Sequence, residues 1–173
     1  MTKLFFWPAM LALAISFTAC SEDDNTPNSN ELAGSWRMES LDYSGTSTTT
    51  TGGQTASADF DGVASDIDLT IDFSENPNQY TTSGSYKVTV TSEVNGMTFE
   101  QTQEFNGFLD NGTWERDGDI IMVTTGSGEL SEATIATLNA NTLILESVDS
   151  ETNVTPDITT VTQVTSVITF SRE

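Results

Sequence analysis

The segment Asp66-Ile67-Asp68-Leu69-Thr70-Ile71-Asp72-Phe73 alternates polar and apolar side chains without a break. An extended strand sends successive residues to opposite faces, so this stretch must hide one face and wet the other. Tyr86-Lys87-Val88-Thr89-Val90-Thr91 repeats the pattern, and Met97-Thr98-Phe99 carries it further. No segment holds a helical period. Ser131 to Asn139 comes nearest, but Thr134, Ile135 and Thr137 are β-branched and favour a strand. Turn signals fall between the runs: Asn95-Gly96, Asn111-Gly112 and Asp117-Gly118 fit two-residue hairpin loops. Further strands are expected over roughly 34–43, 101–108, 112–117, 119–125, 129–137, 142–149 and 158–172, for about 8–10 strands in all.

A run of consecutive hairpins must protect its edges. Closing into a single antiparallel up-and-down β-barrel does so completely, and a β-sandwich is the alternative. Either way the chain is all-β. The longest interruption, Ser44 to Ser65, contains Thr48 to Thr51, Gly52-Gly53 and Asp59-Phe60-Asp61-Gly62. Its Thr, Gly and Ser composition reads as a mobile loop.

The beginning of the chain carries a different message. Met1-Thr2-Lys3 precedes an apolar run from Leu4 to Phe17, then Thr18-Ala19-Cys20. A charged leader, a short greasy stretch and small residues before a cleavage point describe a secretory signal, and the run falls short of the ~20 residues of a spanning helix. The chain's one cysteine, Cys20, stands at that point, where it has no internal disulfide partner. It resembles the lipidated first residue of a mature bacterial lipoprotein. The tract Ser21-Glu22-Asp23-Asp24 is similar to the export signal by which lipoproteins of Bacteroidetes-type bacteria reach the cell surface. A plain acidic spacer is the other reading of the same residues. The expected organisation is a signal peptide over 1–19, a lipidated cysteine and flexible acidic tether over 20–30, and one domain over 31–173. The resemblance implies an outer-membrane address, with surface display favoured over the periplasmic face.

Charge narrows the partners. The chain holds 26 acidic and 5 basic residues, a formal net charge of −21. Cleavage after Ala19 would remove Lys3 and leave Arg37, Lys87, Arg116 and Arg172. Nucleic acid is therefore not an expected partner, since phosphate binding needs clustered Lys and Arg. Contact with the membrane is expected through the Cys20 anchor, because an acidic domain is repelled by an anionic surface.

The inventory also limits chemistry. Histidine is absent and the single cysteine is assigned to lipid, which removes Ser-His-Asp and Cys-His nucleophilic sites and the usual zinc sites. Asp59, Asp61, Asp66 and Asp68 surround Gly62 but lack the alternating spacing and terminal Glu of an EF-hand loop. No metal, cofactor or enzymatic activity is expected.

Gly34-Ser35-Trp36 opens the first strand and Arg172 lies in the last, after Ile168-Thr169-Phe170-Ser171. This pairing resembles the lipocalin family, whose first strand carries Gly-x-Trp and whose barrel ends near an Arg that packs over that Trp. Gly112-Thr113-Trp114-Glu115-Arg116-Asp117-Gly118-Asp119-Ile120 is similar to the middle of lipocalin-like lipoproteins of Bacteroidetes-type bacteria. The resemblance implies noncatalytic binding of a small apolar or amphipathic ligand, with the Ser44–Ser65 loop bordering the open mouth as a lid. Ile67, Leu69, Ile71, Phe73, Tyr86, Val88, Val90 and Phe99 form the expected inward set, which either lines a pocket or packs as a filled core. Tyr86 stands out because a buried phenol needs a partner. A filled barrel would suit an interaction module that docks on a protein or glycan.

Overall fold

The computed structural model describes residues 31–94 and 96–173, so Cys20, the Ser21–Asp24 tract and the rest of the leader and tether lie outside the described residues. The strands are β1 (Gly34–Thr51), β2 (Gln54–Ser74), β3 (Gln79–Val94), β4 (Met97–Asn106), β5 (Gly112–Asp117), β6 (Ile120–Thr125), β7 (Leu130–Leu138), β8 (Thr142–Val154) and β9 (Ile158–Arg172). They pair in the order β2-β1-β9-β8-β7-β6-β5-β3, and β3 returns to β2. The sheet closes as an antiparallel up-and-down barrel rather than splitting into a sandwich. Closure removes the edges of the ring itself.

Strand β4 stands outside that ring. The start of β3, Gln79 and Tyr80, pairs with β5, whereas its later half, Ser85 to Val94, pairs with β4. Strands β5, β6 and β7 are short, while β1, β2, β8 and β9 continue past them. The barrel therefore rises into an open six-stranded sheet ordered β4-β3-β2-β1-β9-β8. The molecule has a closed end, a girdle and one tall overhanging wall.

This wall corrects the expectation of a loop over Ser44–Ser65. Residues 42–51 of β1 pair with 54–63 of β2 on one side and with 158–167 of β9 on the other. The turn is Gly52-Gly53, both at positive φ (56° and 79°), as a tight hairpin requires. Threonines that look like loop composition are β-branched, and here they tie strands together. Thr46 Oγ1 donates to Asp59 (2.7 Å), and Thr48–Ser57 (3.0 Å) and Thr50–Thr55 (3.1 Å) pair their hydroxyls.

Other boundaries shift as well. Met97–Phe99 and the expected strand over 101–108 merge into β4, which stops at Asn106. Asn111-Gly112 is not a hairpin turn: Gly112 starts β5, pressed against the Thr124 backbone so closely that a Cβ would collide with it. The β5–β6 turn is Gly118-Asp119, one residue later than expected, with Gly118 at φ 61°.

A bulge in β2 sets which residues face inward. The register with β3 slips between Ser65 and Asp68, where Asp66 takes φ 49°. Leu69, Ile71 and Phe73 point inward on one side of it, and Gly62 and Ala64 on the other. The core is deepest at Trp36, Met38, Leu69, Tyr80, Leu143 and Phe170.

One member of that core is chemically unsatisfied. Tyr80 is 1% exposed, and its Oη has no hydrogen-bond partner among the described residues. A buried hydroxyl without a partner costs stability. Tyr80→Phe is expected to raise stability by about 1 kcal/mol, read as a higher urea midpoint at constant slope. A fall of that size would mean that the phenol has a partner in solution.

Candidate functional site

The closed end is built by the chain's entry and exit. Trp36 is fully buried and its indole Nε1 donates to the Leu32 carbonyl at 2.8 Å. The Arg172 guanidinium lies 4.1 Å from the ring centroid. It donates to the carbonyls of Ala33 (2.8 Å), Glu31 (2.6 Å) and Ala140 (3.0 Å). Gly34 sits at φ 130°, and a Cβ there would run into the Arg172 guanidinium. The Gly-x-Trp spacing thus has a local cause: glycine leaves room for the cation that covers the indole. The buried indole and the guanidinium over it seal this end.

The opposite end is hollow. A cavity of about 220 Å³ lies against β6, β7, β8 and β9, with Ile71 of β2 contributing to its wall. Ile121, Val123, Leu145, Ile168 and Phe170 supply the apolar lining. Phe108 and Leu109, from the loop joining β4 to β5, cover it. That loop runs beside β3 and is fastened there: Gly107 N–H donates to the Gly84 carbonyl (2.9 Å), and Thr82 Oγ1 donates to the Leu109 carbonyl (2.7 Å). Thr82 N–H also donates to Asn111 Oδ1 at 3.0 Å. The cover is thus Phe108-Leu109, not the Ser44–Ser65 segment.

The rim is polar. Pairing of β7 with β8 stops at Thr134 and Glu146, leaving Ser131 to Ala133 and Ser147 to Asp149 unpaired with one another. Ser131, Glu132, Glu146, Ser147, Asp149 and Ser166 border the cavity there.

Of the expected inward set, Ile71 alone borders this cavity. Leu69 and Phe73 are buried in the core, Phe73 meeting Trp114 edge-on at 5.9 Å. Ile67 is half-buried beside the bulge and packs on the core. Tyr86 is buried and stacks on Phe105 at 5.3 Å. Burial pushes its phenol, and that of Tyr43, above the usual range, and Tyr43 adds to the rise at Tyr86. The fully buried phenol oxygen without a partner among the described residues is that of Tyr80.

Val88, Val90 and Phe99 border a second hollow of about 470 Å³, with Tyr43 and Phe105, on the inner face of the tall wall. Phe99 corrects its expected interior position: it is 53% exposed. Its partner in register is Ser92, beyond the ring, so facing inward there means facing open water. Two glycines on the same inner face are covered by rings from the neighbouring strand. Tyr43 lies over Gly62 and Phe60 over Gly45, and the two rings meet edge-on at 6.2 Å.

The residues missed were Phe108, Leu109, Ile121, Val123, Leu145, Ile168 and Phe170. The last five lie in apolar runs of expected strands and were findable as strand interiors. Phe108-Leu109 lies past the end of β4 and has no period to reveal it. Chemically the cavity presents hydrocarbon walls, serine hydroxyls and carboxylates. Among the described residues no group of three His, Cys, Asp or Glu is arranged to hold a metal ion. Asp66 is instead paired with Lys87 at 2.7 Å, which holds its carboxyl below the usual range through that hydrogen bond and the lysine's charge.

A family model described as a lipocalin-like domain matches residues 32–145. No curated protein and no solved structure matches the chain.

Proposed function

Because the chain belongs to the lipocalin-like domain family, we propose that it is a noncatalytic carrier of a small apolar or amphipathic molecule. The observation that carries this reading is the hydrocarbon-walled cavity under Phe108 and Leu109. At about 220 Å³ it exceeds the ~150 Å³ cavity that accepts benzene and falls below the ~300 Å³ at which drug-sized pockets begin. The suitable occupant has one ring or a short chain.

The proposed setting is a lipoprotein of a Bacteroidetes-type bacterium, anchored in the outer membrane through Cys20 and displayed at the surface by Ser21-Glu22-Asp23-Asp24. The support is the order of the residues themselves: leader, apolar run, small residues, cysteine, acidic tract.

Titration calorimetry with 4-phenyl-1-butanol tests the carrier reading. A molecule of this size in such a cavity is expected to bind with a Kd of roughly 0.1 mM. Ala133, half-buried at the cavity edge, offers a way to fill it. Ala133→Phe is expected to weaken binding at least about tenfold, with the far-ultraviolet circular dichroism of the fold retained. Absence of heat with the unaltered protein, or unchanged affinity in the filled variant, would sink the proposal.

One feature favours a second role beside the first. Met97 and Phe99 are 58% and 53% exposed on the outermost strand of the open wall. Such side chains suit a protein or glycan partner at the cell surface.

A further inference from the structure

We infer that the occupant of the cavity is a cation-headed amphiphile: an apolar ring or short chain ending in an amine or a quaternary ammonium. The inference rests on the carrier reading and adds the charge of the ligand to it.

The gap between β7 and β8 is where a polar head would lie, because the remaining walls are hydrocarbon. Glu132 and Glu146 flank that gap on the two separated strands, and Asp149 stands farther along β8. Asp149 is oriented from within the rim. Ser147 Oγ lies 3.1 Å from its Oδ2, and the hydroxyls of Ser147 and Ser166 are 2.8 Å apart. Carboxylates and hydroxyl oxygens can all accept hydrogen bonds from an ammonium.

No basic side chain borders the cavity. Arg37 is engaged by Glu39 at 2.8 Å and Lys87 by Asp66 at 2.7 Å. Arg172 is held over Trp36 by three carbonyls at the closed end, and Arg116 Nε donates to the Gly118 carbonyl in the β5–β6 turn. A carboxylate or phosphate head would leave water for a rim of like charge with no counter-ion. Glu132, Glu146 and Asp149 are exposed, and like charges there repel an anionic head within a screening length of ~10 Å. An ammonium finds its counter-charges already in place.

Three probes of matched shape separate these cases: 4-phenylbutylamine, 4-phenyl-1-butanol and 4-phenylbutyrate. At 10 mM salt the amine is expected to bind at least about tenfold tighter than the carboxylate, with the alcohol between them. The gap should close towards 1 M salt, where the screening length falls from ~30 Å to ~3 Å.

The chain is acidic everywhere, so the local rim must be distinguished from the overall field. The variant E132Q/E146Q/D149N should lose the preference for amine while still binding the alcohol. The variant D72N/E115Q/D117N removes the same charge from exposed positions outside the cavity lining and should keep the preference. Equal affinity for all three probes, or equal loss in both variants, overturns the cation-headed ligand and leaves the carrier reading intact. Failure of every probe to bind takes down both.

Discussion

Replacing Trp36 by Ala is expected to destabilise the barrel by about 3–5 kcal/mol, the range for emptying a buried large aromatic site. Three losses coincide at this residue. The fully buried indole leaves a void at the closed end. The Leu32 carbonyl loses the Nε1–H donor at 2.8 Å. The Arg172 guanidinium loses the ring beneath it, a contact of about 0.5–2 kcal/mol. The site also joins the ends of the sheet, since Trp36 is the register partner of Arg172 on β9 and of Ile71 on β2. Against a typical total of about 5–15 kcal/mol, such a loss brings the domain near its unfolding threshold.

The measurement is urea unfolding, with two milder variants to divide the effect. Trp36→Phe keeps an aromatic ring and removes the indole N–H, so it should cost less than Trp36→Ala. Arg172→Met keeps an apolar stem over the ring and removes the cation along with its bonds to Glu31, Ala33 and Ala140. Additive losses in Trp36→Ala/Arg172→Met would show two independent contacts; a double variant no worse than Trp36→Ala alone would show one unit. A loss below about 1 kcal/mol for Trp36→Ala contradicts the seal.

That seal was anticipated through the resemblance to lipocalins, which joins the first strand's Gly-x-Trp to an arginine of the last. Gly34 and Trp36 sit two residues apart and Arg172 lies in a recognisable last strand. The alternation of Asp66 to Phe73 was equally plain, and it gave the right inward face for Leu69, Ile71 and Phe73. What the pattern could not reveal was where the ring ends. Phe99 alternates as well as any core residue, yet its strand pairs only with β3, above the girdle.

The Thr-rich segment failed for a related reason. Thr48 pairs with Ser57 nearby, but its other neighbour is Val161, far along the chain. Strand propensity depends strongly on such neighbours, so a polar β-branched run can be loop or wall. The cavity was the least legible feature. Its walls come from five strands, and its cover is a dipeptide held in place by Thr82 and Gly84.

Cys20→Ser is expected to abolish lipid attachment, an all-or-none effect read as loss of labelled palmitate from the protein. Under the proposed anchoring, lipid on Cys20 is the sole attachment, and each buried methylene contributes ~0.8 kcal/mol. A single chain holds only marginally, so losing every chain leaves nothing to retain an acidic domain at an anionic surface. The position of the anchor also bears on how the cavity is presented. Residue 31 is fixed at the closed end, where its carbonyl accepts from Arg172. Residues 20–30, fully extended, reach at most roughly 35–40 Å. Under the proposed anchoring, a tether that enters beside the seal leaves the hollow end and the tall wall free to face away from the membrane. Under the proposed surface display, protease added to intact cells is expected to remove the domain, and neutralising Glu22, Asp23 and Asp24 should protect it by withholding display. Palmitate incorporation undiminished in Cys20→Ser would refute the anchor. Unchanged cleavage after neutralisation would reduce the acidic tract to a spacer.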